Sequence, residues 1–250
     1  MTIGNISVNY KIKSSPDGPM GSLAPVGLRS SGFSCFYDMD RATFIIDGFN
    51  LYHSVRIAQY DMGGTSTKWL DIRSLLSSYL HLLGKNAVLD KIYYFSALAK
   101  HLEASKPDVT KRHRDYIRCL QATGIITELH RFKKKTVWCT SCNNELIKFE
   151  EKETDVAIAV KLLELLFKDA CDTVVLVTGD TDIAPAVKTA NIIFPYKRIV
   201  FAFPYKRKNK ELSQLAPGSF EIKKEQYAKH QFPDPYTIPN GCTIIKPSQW

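Results

Sequence analysis

The sequence lacks the features that would place it in a membrane or outside the cell. No apolar run approaches the roughly 20 residues that a transmembrane helix needs. The N-terminal stretch MTIGNISVNYKIKSS contains no continuous apolar segment, so it does not resemble a secretory signal peptide. The six cysteines are irregularly spaced, which is not typical of a disulfide scaffold. We therefore expect a soluble, cytoplasmic protein without a membrane partner.

The short motifs of several large enzyme classes are also missing. The chain contains no GxSxG, no Ser-His-Asp pattern, no GxxxxGK[ST] and no GxGxxG. These absences argue against a serine hydrolase, a P-loop nucleotidase and a dinucleotide-binding enzyme. With 250 residues, 44% of them hydrophobic and 24% charged, the chain nevertheless has an ordinary globular composition and can bury a core.

Acidic residues are outnumbered by basic ones, and the formal net charge is +9. Basic runs occur at 111–118, 131–135 and 195–210, and the last of these contains no acid. One such run is commonly a solvated surface, but three in one chain favour a polyanionic partner, with nucleic acid first among the candidates. The residues that we expect to contact this partner are Lys133, Lys134, Lys135, Lys206, Arg207 and Lys208.

Strand-like and helix-like segments alternate from Arg41 onward. Several strand-like segments are uniformly apolar, which is typical of a parallel sheet covered by helices on both faces. The sequence therefore predicts a three-layer α/β fold of Rossmann-like type with a central, mainly parallel sheet. The predicted strands are 42–47, 91–97, 124–130, 173–179, 198–203 and 219–222, and the predicted helices are 68–84, 109–124, 150–170, 182–190 and 209–215.

Composition suggests how the chain is divided. Residues 1–40 are rich in Ser, Gly and Pro and predict a flexible leader. Residues 41–222 carry the alternating pattern and form the predicted folded domain, with a cysteine-containing hairpin inserted at 136–149. Residues 223–250 are rich in proline and predict an irregular C-terminal extension packed on the domain.

Two aspartates stand where predicted strands end. Asp47 follows an apolar strand and precedes a glycine, and Asp180 follows another strand and its glycine. The ligand crevice of such a sheet lies beyond the carboxyl ends of its strands, where the strand order reverses, so we expect both acids at one edge. Asp182 lies two residues further on, and Asn50 is close enough to Asp47 to orient it.

A third acid, Asp155, lies on the predicted helix 150–170. At 3.6 residues per turn it shares a stripe with apolar residues, which predicts a side chain that points into the protein and not into bulk water. Such a placement is costly unless a cation or hydrogen bonds compensate the charge. The apolar residues of the stripe are Ala159, Leu162, Leu163 and Leu166.

Each acid also has a structural alternative. Asp182 can cap the following helix, Asp155 can interact with a helix dipole, and Asp47 and Asp180 can be turn residues. Separate roles of this kind do not explain why three segments bring acids to one edge. Clustered carboxylates suit Mg²⁺ or Mn²⁺, and a basic rim suits a polyanion. Together they predict metal-assisted attack on a phosphodiester.

Three motifs carry a resemblance to a known family. IDGFN at 46–50, EEKETDVAIAVKLL at 150–163 and VTGDTDIAPAV at 177–187 resemble, in order and spacing, the NYN domain family of PIN-like nucleases, in particular its LabA-like branch. The resemblance covers about residues 41–250. It implies a PIN-like sheet and an endoribonuclease that cleaves RNA with a divalent metal. It further implies metal-coordinating roles, supported by Asn50, for Asp47, Asp155, Asp180 and Asp182.

Two other functions compete with this interpretation. The first is a catalytically silent NYN fold that acts as an RNA-binding or protein-interaction adaptor. Intact acids at every motif position favour the nuclease, since a silent relative would tolerate Asn or Ala there. The second is a phosphatase of Rossmann-like architecture. It is disfavoured because the first strand ends in Asp47-Gly-Phe and lacks the DxD of aspartyl-phosphate enzymes.

A pair of cysteines, Cys139 and Cys142, forms a CxxC between two strand-like stretches. This arrangement is typical of a zinc knuckle and predicts a structural Zn²⁺ site. A complete site needs further ligands, and the candidates are His130, Cys119, Cys171 or the same pair from a second subunit, which leaves a homodimer open. Without them the pair would be a redox couple or two ordinary thiols.

Overall fold

The structure, a computed structural model, describes residues 39–250 with the exception of 140 and 142. The predicted leader at 1–40 lies almost wholly outside the described residues. The described strands are β1 (Asp40–Asp47), β2 (Ala87–Leu98), β3 (Ile126–Cys139), β4 (Asn144–Lys152), β5 (Thr173–Val177), β6 (Arg198–Phe203), β7 (Phe220–Glu221), β8 (Tyr236–Thr237) and β9 (Thr243–Ile244). The described α-helices are α1 (Gly48–Asp61), α2 (Ile72–Ser77), α3 (Pro107–Ala122), α4 (Thr154–Phe167), α5 (Ala184–Ile193), α6 (Lys210–Leu215) and α7 (Lys224–Lys229).

Seven of the strands form one sheet in the order β4-β3-β2-β1-β5-β6-β7. All neighbouring pairs are parallel except β3 and β4, which form an antiparallel ribbon. The chain first builds outward from β1 to β4 and then returns to place β5 on the other side of β1. The predicted three-layer α/β fold is confirmed, and its strand order reverses between β1 and β5.

Helices cover both faces of the sheet. On one face, α1, α2 and α3 pack over Phe44 and Ile46 of β1. On the other face, α4 and α5 pack over Ile45 of β1 and Leu176 of β5. Because alternate residues of a strand point to opposite faces, a continuous apolar strand fits a sheet that is buried on both sides.

Helix α1 occupies residues for which the sequence patterns predict no element. Its buried residues include Leu51, Val55 and Ala58, which recur at helical spacing. Polar residues such as His53 and Arg56 fall between them, so the apolar stripe is narrow and weak as a sequence signal. The helix begins where Asp47 accepts hydrogen bonds from its first backbone amides.

The prediction of a single helix at 68–84 is wrong. The structure has α2 and a separate 3₁₀ helix at Leu80–Leu82. The Ser78 hydroxyl donates a 2.7 Å hydrogen bond to the carbonyl of Leu75, and such local bonds compete with continuation of a helix.

The helix predicted at 150–170 begins later than expected. Residues up to Lys152 belong to β4, whose register runs from Cys139↔Asn144 to Arg131↔Lys152. Glu153 then adopts φ 81°, a left-handed conformation that interrupts the chain before α4 begins. The hairpin expected at 136–149 is therefore the outer part of a longer ribbon.

The C-terminal residues contact the side of the domain that carries α2 and α3. Trp250 packs against Trp69 and Tyr116, with ring centroids 6.0 and 5.4 Å away. The indole of Trp69 donates a 3.2 Å hydrogen bond to the carbonyl of Pro233. No helix within residues 39–250, as far as they are described, has the length and apolar character that a bilayer crossing requires.

Candidate active site

Asp47 is a buried carboxylate at the end of β1, with only 6% of its surface exposed. One oxygen accepts hydrogen bonds from the backbone amides of Phe49 (3.1 Å) and Asn50 (2.9 Å), and the other accepts one from the Thr178 hydroxyl (3.0 Å). Burial raises the pKa of Asp47 to about 6, although these hydrogen bonds oppose the shift. Asp47 therefore both caps α1 and carries a charge that water does not stabilise.

Asp180 follows β5, the strand next to β1. Its carboxylate accepts a 3.1 Å hydrogen bond from the amide of Asp182, and its own amide donates to the Thr178 hydroxyl at 3.1 Å. The preceding residue, Gly179, is closely covered by the chain at Arg207. A Cβ atom at position 179 would lie 1.9 Å from the carbonyl oxygen of Arg207, so only glycine fits. This close approach brings the basic segment 206–208 to the edge that carries the acids.

Asp155 lies in the first turn of α4 and is exposed. The expectation that its side chain avoids bulk water is wrong, because the buried stripe of α4 runs through Thr154, Ile158 and Leu162. The pKa of Asp155 is raised, first by partial desolvation and then by the negative charges of Asp180 and Asp182.

The three acids converge at the switch point of the sheet. One carboxylate oxygen from each of Asp47, Asp155 and Asp180 lies within 4.8 Å of the others. The residues come from β1, from α4 and from the loop after β5. Asp47 and Asp155 are more than 100 positions apart along the chain. This arrangement of three oxygen ligands could hold a metal ion.

The remaining two predicted site residues occupy supporting places. Asp182 is exposed and lies outside the group of three, although its charge acts on Asp155. Its capping role passes to Asp180, whose side chain caps the 3₁₀ turn Thr181–Ile183. Asn50 accepts a 3.2 Å hydrogen bond from the amide of Gly179, so it joins the start of α1 to the loop after β5.

Glu151 is a fourth acid at the site that the sequence interpretation does not include. It lies on β4, is half-buried, and accepts a 2.6 Å hydrogen bond from the Thr154 hydroxyl. Burial raises the pKa of Glu151, and the charge of Asp155 adds to the shift. The segment NELIKFEEK at 144–152 shows no regular alternation of apolar and polar residues, so it gives no signal that separates Glu151 from the predicted helix.

The acids line an open cleft of about 600 Å³. Phe49 and His53 of α1 lie on one side of it, and Phe132 and Phe149 of the β3–β4 ribbon lie on another. Arg207 also lines the cleft, and its Nε is buried without a hydrogen-bond partner in the described part of the chain. The cleft thus combines clustered acids, aromatic walls and one unsatisfied cationic donor.

Comparison with known proteins identifies the family. Residues 41–222 match the NYN domain. The chain belongs to the NYN domain family. A nuclease-type fold with clustered carboxylates is therefore supported both by the match and by the geometry.

Individual relatives of the NYN domain are distant. The 6-hydroxy-3-succinoylpyridine 3-monooxygenase HspA of Pseudomonas putida (strain DSM 28022 / S16) is 26% identical in a match that covers 84% of this chain and 75% of that protein. A crystal structure of a Vibrio parahaemolyticus protein of unknown function matches with a TM-score of 0.51 at 14% identity. That match covers 74% of this chain and 94% of the other, and it concerns the fold alone.

The NYN domain also contains a partly open cavity of about 180 Å³ next to the cleft. Phe49 and Phe132 line both spaces. The cavity lies between α1, β2 and α3, and most of its walls are apolar or aromatic, including Tyr94 and Tyr116. Gly48 makes this packing possible, because a Cβ there would lie 2.6 Å from the Tyr94 ring.

The lysines predicted to contact RNA on the β3–β4 ribbon are not equivalent. Lys134 pairs in register with Phe149, which lines the cleft, so both side chains lie on one face of the ribbon. Lys133 and Lys135 point to the opposite face, where they form ion pairs of 2.9 and 2.8 Å with Glu153 and Glu150.

The basic residues of the segment after β6 also differ from one another in their contacts. Lys206 forms a 2.6 Å ion pair with Asp61 and lies over the ring of Tyr205, whereas Arg207 faces the cleft and Lys208 is exposed. The predicted zinc site falls outside the described residues, which include neither Cys142 nor the side chain of Cys139.

Proposed function

We propose that this NYN domain is an endoribonuclease that hydrolyses RNA phosphodiester bonds with a divalent ion held by Asp47, Asp155 and Asp180. The observation that carries the proposal is the convergence of three carboxylate oxygens within 4.8 Å, at the edge of the sheet where such folds bind ligands. The match to the NYN domain supports it independently.

The chemistry of the acids fits Mg²⁺ or Mn²⁺. Carboxylate oxygens are the ligands that both ions prefer, and one oxygen from each of the three acids lies within 4.8 Å of the others, so Asp47, Asp155 and Asp180 would hold such an ion together. Burial and then repulsion between acids raise the pKa values of Asp47 and Asp155, so a cation in the cleft would relieve a cost that the folded chain carries.

Other residues of the cleft have roles that follow from their contacts. When bound, the ion supplies charge neutralisation at the phosphate and a lowered pKa for the attacking water. Arg207 lines the cleft, where its guanidinium group can donate to a phosphate oxygen. Asn50 and Thr178 hold the two strand-end loops together, which keeps Asp47 and Asp180 in a fixed relation. Phe149, which is 40% exposed, can stack on an unpaired base.

A cleavage assay tests the proposal. A labelled single-stranded RNA would be incubated with Mn²⁺ or with EDTA, using the wild type and Asp180→Asn. We expect cleavage only by the wild type and only with the metal. If RNA binds but decays equally in all four reactions, the catalytically silent adaptor is the better interpretation.

A second candidate function is a reaction on a small ring compound. The observation that favours it is the apolar cavity that shares Phe49 and Phe132 with the acidic cleft. The Pseudomonas putida relative is named as a monooxygenase of a substituted pyridine. Mass spectrometry would test this candidate. The protein would be given 6-hydroxy-3-succinoylpyridine, ¹⁸O-labelled dioxygen and a two-electron reductant, and a ring product that carries one labelled oxygen atom would support it.

Several finer points stay predictions of the sequence. They are membership of the LabA-like branch, the choice between Mg²⁺ and Mn²⁺, a fourth ligand from Asp182, a structural Zn²⁺ at Cys139 and Cys142, a homodimer and a cytoplasmic location. We retain them as parts of the proposal.

A further inference from the structure

The cavity between α1, β2 and α3 has a composition that metal binding in the neighbouring cleft does not explain. Its walls are largely apolar, but two cations and a half-buried histidine also line it. We infer that this cavity binds a ligand that joins one planar aromatic ring to an anionic group. The inference does not depend on which of the two reactions the NYN domain catalyses.

The size of the cavity sets the size of the ring. A cavity of about 150 Å³ with apolar walls binds benzene, and this one measures about 180 Å³. One ring with a short substituent therefore fits. Such walls favour a planar ring over a flexible chain, and the aromatic side chains among them are Phe49, Tyr52, Tyr94, Tyr116, Phe132 and Trp250.

The anionic group is indicated by two cations that line the cavity, Lys68 and Arg112. Burial lowers the pKa of Lys68, and the positive charges of Arg56 and Arg112 lower it further. Neither Lys68 nor Arg112 takes part in an ion pair among the described residues. Their observed partner is Gln249, a neutral residue that accepts from both. A bound anion would compensate this positive charge.

Polar groups elsewhere in the cavity can orient the ring. The Ser96 hydroxyl lies 3.4 Å from Nε2 of His113, on the walls formed by β2 and α3. This distance makes the hydrogen bond weak, so both groups can also bond to a ring substituent. The ligand would thus be held by its ring faces, by its acid group and by one polar substituent.

A surface depression lies beside the cavity at Lys68, which lines both spaces. Lys68 also lines this depression, together with Arg56, Gln59 and Tyr60. A ligand longer than one ring could leave the cavity there. A ligand that joins a ring to an anionic group could therefore be a free aromatic acid or one nucleotide of an RNA chain. The binding experiment must distinguish these two ligands.

Binding would be measured by isothermal titration and ligand-observed NMR with four probes. Benzoate carries ring and charge, benzyl alcohol carries the ring alone, acetate carries the charge alone, and uridine 5′-monophosphate represents a nucleotide. We expect benzoate or the nucleotide to bind at least about tenfold more tightly than benzyl alcohol, since a charge-assisted contact is lost. Acetate should not bind detectably. Binding of benzoate but not of uridine 5′-monophosphate would indicate that the ligand is a free aromatic acid. Clearly tighter binding of the nucleotide would indicate a subsite for a base of RNA.

Two variants locate the binding. Arg112→Gln should weaken benzoate or nucleotide binding about tenfold and leave benzyl alcohol unchanged. Ala97→Leu should fill the cavity, which Ala97 lines, and abolish binding of every ring compound. A thermal melt of each variant establishes that it is folded. If Ala97→Leu does not fold, Ala99→Leu takes its place, because Ala99 also lines the cavity. The inference is overturned if no ring anion binds at 10 mM, about the weakest binding that such small probes show, or if binding survives both variants.

Discussion

The acidic cleft and the apolar cavity lie on two sides of the same pair of rings, Phe49 and Phe132, yet they are built in opposite ways. The cleft brings together carboxylates from distant segments, and burial and repulsion raise the pKa values of Asp47 and Asp155. The cavity brings together cations without an acidic partner and a histidine that is held neutral. The cleft gathers negative charge and the cavity gathers positive charge, and the sign of each indicates the sign of a ligand that would fit there.

The largest expected effect is on RNA cleavage at the cleft. Asp180→Asn should lower the cleavage rate on the order of 100-fold or more, because one of three charged ligands is lost. Glu211→Gln is a matched control, since Glu211 is an exposed acid that pairs with Lys188. Asp182→Asn should have a smaller effect than Asp180→Asn. An equal loss in Asp182→Asn and Asp180→Asn would show that the group of three is not the functional unit.

The next effect concerns the stability of the cleft without metal. The folded pKa of Asp47 is raised from 3.8 to about 6, so its contribution to stability falls as the pH rises through this window. Asp47→Asn should therefore raise the free energy of unfolding at pH 7.5 by about 2–3 kcal/mol in EDTA. Urea denaturation at pH 4 and pH 7.5 measures the difference. A variant less stable than the wild type at pH 7.5 would contradict the unfavourable burial of this charge.

A smaller effect of opposite sign is expected at the cavity. Burial lowers the pKa of His113 from 6.5 to about 4, so the unfolded chain binds a proton first as the pH falls. Stability is complete above pH 6.5 and declines towards pH 4, by about 2 kcal/mol at pH 5. His113→Gln should lack this part of the decline. Identical pH dependence of unfolding in the two proteins would rule out a neutral, buried His113.

The smallest expected effect is a difference in RNA affinity between variants of two lysines on the β3–β4 ribbon. Lys134→Ala should weaken binding of single-stranded RNA about three- to fivefold and reduce the salt dependence by about one phosphate contact. Lys133→Ala, the matched control, should change affinity less, because Lys133 lies on the face away from the cleft and pairs with Glu153. Fluorescence anisotropy in a salt series measures both, and a stronger effect at Lys133 would place the RNA on the other face.

Much of the fold follows from sequence patterns, because apolar strands alternate with helices of strong periodicity. The convergence of Asp47 and Asp180 was also predictable, since both end parallel strands at the switch point. The exposure of Asp155 and the contribution of Glu151 were not, because both depend on where α4 begins. The left-handed Glu153 sets that boundary, and its conformation has no clear signal in the sequence. The cavity was invisible for a related reason: its lining comes from residues as far apart as Gly48 and Trp250.

The most direct measurement is an anomalous difference map from crystals soaked in Mn²⁺. The account predicts a peak within about 2.3 Å of one carboxylate oxygen each from Asp47, Asp155 and Asp180, and the loss of that peak in Asp180→Asn crystals. Crystals that diffract well but show no manganese at the cleft, or manganese bound elsewhere with these three side chains turned apart, would contradict it.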